Sequence, residues 1–189
     1  MKEKISRNTS KYLYDYREIF DVMKNEMSNA EVTESISKNF ISTMIPHHAA
    51  AIKMSENLLK YTTYIPLQNM ALQIIETQAK GIEEMQQIAE KCSALINTPM
   101  QLRAYKNSYN TAVNTMYAAM STAPQFNSIN CDFIREMIPH HRGAVFMSQN
   151  ALRFPVCAEL VPILKSIIAE QTRGIAEMKK MYTKLNPAY

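Results

Sequence analysis

The sequence predicts an all-α fold: two three-helix units in tandem, packed as bundles and related by a pseudo-twofold axis. Three observations carry this. The 189 residues include only 3 glycines and no tryptophan, and Ala, Met, Ile, Lys, Gln and Glu are abundant, a composition that favours helices over sheets. Apolar residues recur at spacings of three and four through each long segment. Shifting the chain by 93 positions aligns Tyr12 with Tyr105, Met27 with Met120, His47 with His140, Gln78 with Gln171 and Met85 with Met178 without a gap, the mark of an internal repeat. The units are expected at 1–96 and 97–189.

The first helix of each unit follows from Tyr12, Tyr16, Phe20, Met23 and Met27, matched by Tyr105, Tyr109, Val113, Met116 and Met120. The second is predicted over Thr33 to Lys60, with Ile36, Phe40, Met44, His47, Ala51, Met54 and Leu58 on one seam. A neighbouring seam carries Ile41, Ile45, His48, Ile52 and Leu59, so the apolar stripe is wide and both imidazoles face inward. Pro46 removes one backbone hydrogen bond and is expected to kink this helix. The third helix, about Leu67 to Lys91, buries Leu67, Ala71, Ile74, Gln78, Ile82 and Met85; its counterpart uses Leu160, Leu164, Ile167, Gln171, Ile175 and Met178. The short segments YTTYIP and RFPVCAE make the second and third helices antiparallel neighbours. Turns near Asn29 to Glu31 and Thr122 to Gln125 return the first helix onto the second.

Charge excludes some functions. The net charge of +4 comes from 21 basic and 17 acidic residues interspersed along the chain, so there is no basic stripe for nucleic acid. The N-terminal stretch has no apolar core of a signal peptide, and no run approaches membrane-spanning length. A cytoplasmic protein with neither nucleic-acid nor membrane partners is expected; whether it forms a homo-oligomer stays open. Cys92, Cys131 and Cys157 lack metal-ligand spacing and are expected as free thiols.

All 4 histidines fall in two adjacent pairs within FISTMIPHHAAAIKMS and FIREMIPHHRGAVFMS. Of the 14 methionines, those at 23, 27, 44, 54 and 85 recur at 116, 120, 137, 147 and 178. Helices of equal rise place residues equidistant from a turn at one level. That sets His47 and His48 beside Gln78 and Gly81, with Met44 near Met85, and sets His140 and His141 beside Gln171 and Gly174, with Met137 near Met178. Tyr16 and Tyr109 come to the histidine level from the first helices. A mid-helix glycine costs roughly 1 kcal/mol relative to alanine, so Gly81 and Gly174 are read as clearing room for the rings. Met23, Met27 and Met54 lie at other levels and read as packing.

Thioether sulfur with imidazole nitrogen selects a soft ion, Cu(I) before harder ones. Gln78 and Gln171, or alternatively Tyr16 and Tyr109, would bond the noncoordinating ring nitrogen and fix its tautomer. The competing reading is a noncatalytic scaffold in which the same histidines close a buried hydrogen-bond network. A di-iron site would need Glu three residues before the histidine, where Met44 and Ile45 stand. No His-Glu-x-x-His, phosphate loop or nucleophile triad is present, so a nonenzymatic role is expected.

The string Phe-Ile-x-x-Met-Ile-Pro-His-His-x-x-Ala-(Ile/Val)-x-Met-Ser, followed by Gln-x-x-Gly-Ile-x-Glu-Met, resembles domain-of-unknown-function family 305, a bacterial family of ferritin-like helical bundles. Both halves carry the pattern. Some relatives bind copper through His and Met. The resemblance implies that role for Met44, His47, His48, Met54 and Met85 and for Met137, His140, His141, Met147 and Met178. Where the family pattern has Glu, this chain has Gly81 and Gly174. The expected function is copper sequestration or tolerance, with one Cu(I) in each half.

Overall fold

The computed structural model describes residues 5–123 and 125–186. Six helices follow one another: α1 (Arg7–Ser28), α2 (Ile36–Leu59), α3 (Ile65–Ser93), α4 (Pro99–Ser121), α5 (Ile129–Ala151) and α6 (Leu160–Leu185). No strand occurs among the described residues. Of the turn expected over Thr122 to Gln125, Pro124 lies outside them.

Local chemistry sets the helix starts. The hydroxyls of Ser6, Ser35 and Thr98 accept from the backbone N–H groups of Thr9, Lys38 and Gln101, satisfying donors that the first helical turn leaves unpaired. Thr98 and Gln101 complete a reciprocal capping box. Pro99 stands where a helix begins and its missing N–H is harmless. Pro46 and Pro139, by contrast, lie inside the continuous helices α2 and α5.

α2 and α5 pack against each other at the centre, α3 meets α6 beside them, and α1 and α4 cover the outer faces of α2 and α5 respectively. Two bonds of one kind fix the outer helices. Asn57 Nδ2 donates to the Tyr12 carbonyl at 3.0 Å, and Asn150 Nδ2 donates to the Tyr105 carbonyl at 3.0 Å. The rings they anchor meet equivalent neighbours edge-on, Tyr12 against Tyr61 at 6.2 Å and Tyr105 against Phe154 at 6.0 Å. The core is apolar and methionine-rich: Met44, Met54, Met85, Met137, Met147 and Met178 are all buried.

The junction between α3 and α4 is tightly tied. Asn97 accepts from Ile36 N–H at 2.8 Å, donates its side-chain N–H to the Pro155 carbonyl at 2.8 Å, and gives its backbone N–H to Glu34. Beside it Cys92 and Cys157 form a disulfide, which corrects the expectation of three free thiols. Only Cys131 is free, and it is buried. Spacing cannot reveal such a pairing; it arises because the end of α3 and the start of α6 meet, with Cα atoms 5.4 Å apart.

Candidate metal centre

His47 and His48 stand on α2, one turn beyond Met44, and His140 and His141 stand on α5, one turn beyond Met137. Because α2 and α5 are direct neighbours, the two pairs meet: the His47 and His140 rings lie 3.7 Å apart, tilted by 30°. This departs from the expectation of a separate cluster in each half. Residue levels within the hairpins α2–α3 and α5–α6 carry no record of a contact between α2 and α5. Each adjacent pair diverges, with ring centroids 6.1 Å apart within both His47–His48 and His140–His141, as the 100° step between helical neighbours requires.

His48 and His141 turn outward from that central pair toward α3 and α6 respectively. A Cβ on Gly81 would lie 3.1 Å from His48 Cδ2 and 3.2 Å from Nε2, and Gly174 stands in the same relation to His141. The two glycines therefore provide the space in which these rings sit. Gln78 and Met85 lie one turn before and after Gly81 on the same face of α3, as do Gln171 and Met178 around Gly174 on α6. Gln78, Gln171, Gly174 and His141 line one small cavity of about 70 Å³ between α3 and α6, so the two glutamines converge on a shared space.

The cluster is dry. The four imidazoles are 0–3 % exposed. Burial lowers the pKa of every one. His48 falls to about 3, with the His140 charge adding to the effect. His140 falls to about 4, its bond to the His47 carbonyl opposing the shift. His47 and His141 are held well below the ordinary value of 6.5 by burial and by the neighbouring imidazoles. All four rings are neutral at neutral pH, the form that ligates metal.

Hydrogen bonding leaves most of the cluster unsatisfied. His140 Nε2 pairs with the His47 carbonyl at 3.1 Å. Both nitrogens of His47, Nδ1 of His48, His140 and His141, and Oε1 of Gln78 and Gln171 are enclosed without a partner. A buried polar atom left unpaired costs about 1–3 kcal/mol, so these atoms call for partners that the protein's own side chains do not supply. Among the described residues no three imidazoles bring a nitrogen each within 4.8 Å of one another. Histidine alone does not form a closed cage of three nitrogens. The one group of that kind, Cys92, Cys157 and Glu159, has its cysteines committed to the disulfide.

The tyrosines take other roles. Tyr16 donates to the Met120 carbonyl at 3.2 Å, and Tyr109, half-buried, faces Thr43. Neither has a bond to an imidazole, which corrects the alternative that set them beside the rings: α1 and α4 turn these hydroxyls toward a helix end and an outer groove. Met54 and Met147 lie about 10 Å along their helices from His47 and His140, at 1.5 Å per residue.

One polar residue was missed. Glu136, one turn before His140, is 2 % exposed and accepts from the Tyr12 hydroxyl at 2.6 Å. Burial raises its pKa well above the ordinary carboxyl value. The available signal was a carboxylate within the apolar stripe of α5 at the position where α2 has Thr43.

Comparison with known proteins adds the family. The model of a domain of unknown function, DUF305, matches residues 21–89 and 38–182. The chain belongs to the DUF305 family. Two solved structures of CopM resemble this DUF305 chain. The Ag-bound form, obtained by soaking, has TM-score 0.59 and 27% identity over 80% of this chain and 98% of its own. The Cu(II)-bound form has TM-score 0.59 and 28% identity over 79% and 97%. A DUF305 fragment from Deinococcus radiodurans has the same fold, with TM-score 0.57 and 22% identity over 79% and 96%. No curated protein sequence matches.

Proposed function

We propose that this protein is a tandem duplication whose two halves together hold copper, as a nonenzymatic protein of copper sequestration or tolerance. The observation that carries the reading is the set of neutral, buried, unpartnered imidazole nitrogens gathered where α2 meets α5 and flanked by Gln78 and Gln171. Imidazole with amide oxygen accommodates Cu(II), and participation of Met44, Met85, Met137 and Met178 shifts the preference toward Cu(I). CopM, a similar protein, has Cu(II)-bound and Ag-bound forms, which supports a soft or borderline ion. The scaffold alternative requires partners on the ring nitrogens, and only His140 Nε2 has one.

The stacking of His47 on His140 favours one shared centre over two independent ones. An anaerobic competition titration against a Cu(I) chelator, with a parallel Cu(II) titration, tests this. Binding is expected, and His47→Ala with His48→Ala is expected to weaken all of it. Independent sites would instead leave half of the binding at full affinity. No binding, or binding unchanged when all four histidines are alanine, rejects the copper reading. The Cys92–Cys157 disulfide supports function in an oxidising compartment, in place of the cytoplasm expected from the sequence. Cell fractionation with thiol trapping tests that placement.

A further inference from the structure

The two halves differ around one pair of equivalent tyrosines, and beside one of them lies a cavity. Positions 93 residues apart keep the same backbone bonds: Phe126 N–H donates to Asp132 Oδ1 at 2.7 Å, and Thr33 N–H donates to Asn39 Oδ1 at 2.7 Å. Tyr12 and Tyr105 are held alike by Asn57 and Asn150 and by edge-on contacts with Tyr61 and Phe154. The side chains around them are not alike. Glu136 meets Tyr12, and the residue 93 positions earlier is Thr43; likewise Phe20 and Phe126 correspond to Val113 and Thr33. All three smaller residues line one cavity of about 590 Å³ between α4, α2 and the α1–α2 loop.

That cavity is within the range of small-molecule sites, and its chemistry is uneven. Tyr105, Tyr109 and Tyr117 give it aromatic walls, and Arg103 and Lys106 are exposed at its edge. Neither cation has an ion-pair partner among the described residues. Tyr105 is 5 % exposed, and its hydroxyl has no hydrogen-bond partner. The corresponding hydroxyl of Tyr12 has one, the carboxylate of Glu136 at 2.6 Å. Thr43 cannot replace that carboxylate: its own hydroxyl is turned back to the Asn39 and Phe40 carbonyls.

We infer that this cavity binds a small aromatic carboxylate, whose ring lies beside Val113 and Thr33, where the other half carries Phe20 and Phe126, and whose carboxylate accepts from Tyr105 as Glu136 accepts from Tyr12. Arg103 and Lys106 supply the complementary charge. The site is separate from the histidine centre and does not depend on copper.

The probe is 3-phenylpropionate, which joins a phenyl ring to a carboxylate, titrated by calorimetry and by amide chemical shifts into the full metal-free chain. Saturable binding is expected, with 3-phenylpropanol and propionate each roughly tenfold weaker or more, as loss of a charge-assisted hydrogen bond or of the apolar body implies. Val113→Phe and Thr43→Glu rebuild the packing of the other half, so both should abolish binding while the melting temperature holds or rises. Tyr105→Phe should remove the preference for the acid over the alcohol. Absence of binding, equal binding of acid and alcohol, or unchanged affinity in a folded Val113→Phe chain each overturns the inference.

Discussion

At the scale of single residues the protein is governed by polar groups held away from water. Burial keeps the imidazoles uncharged, and this fixes how the metal-free protein responds to acid. The folded pKa of His48 is about 3 and that of His140 about 4, against an ordinary 6.5. The unfolded chain therefore takes up protons first, and stability is complete above about 6.5 and lost as pH falls toward 4. Each histidine contributes a slope of about 1.4 kcal/mol per pH unit in that window. Asp132, pushed up to about 6, and Glu136 act oppositely, since the folded state binds their protons more tightly and loses that advantage as pH rises. Four histidines outweigh two carboxyls, so urea midpoints should fall between pH 7 and 5, and Glu136→Gln should steepen the fall. A flat or rising profile would contradict this. Gly81→Ala separates function from folding. Helix propensity gains roughly 1 kcal/mol, but the new Cβ displaces the His48 ring by a few tenths of an ångström. Under the proposed copper-binding function, copper affinity should weaken while the melting temperature changes little.

At the scale of elements, the helices hold together through apolar seams and a few buried bonds of defined direction. Asn57→Ala removes the buried bond from α2 to the Tyr12 carbonyl of α1, and Asn150→Ala removes the same bond from α5 to Tyr105 of α4, while each carbonyl keeps its own helical bond. Each should cost roughly 0.5–1.5 kcal/mol, read as a lower urea midpoint with an unchanged slope. The elements themselves were largely legible in the sequence. Periodicity predicted α2 over Thr33 to Lys60, and the helix occupies Ile36–Leu59 with Ser35 as its cap. For α3 the prediction of Leu67 to Lys91 compares with Ile65–Ser93, longer because Pro66 is tolerated in a first helical turn. The inward glutamines were visible for the same reason: Gln78 and Gln171 interrupt otherwise apolar seams. The direction of the Tyr16 and Tyr109 hydroxyls was not, because a side chain's partner on another helix leaves no trace in periodicity.

At the scale of the whole molecule, the disulfide and the central α2–α5 contact join α1–α3 to α4–α6. Cys92 and Cys157 are separated by 65 positions, and closing a loop of that length restricts the unfolded chain by about 4 kcal/mol in the chain-entropy model. Reduction, or Cys92→Ser with Cys157→Ser, should lower the melting temperature, and an unchanged value would show that the bond contributes nothing to stability. Sequence alone determined the helical class, the element order, the inward histidines and the glycines beside them, because each follows from the 3.6-residue period and from side-chain size along one chain. Tertiary structure decided that His47 stacks on His140, that Glu136 meets Tyr12, that Cys92 finds Cys157, and that Val113, Thr33 and Thr43 border one cavity. These are encounters between segments distant in sequence. Their partners are set by how the helices cross, and the pattern within any one helix carries no record of that.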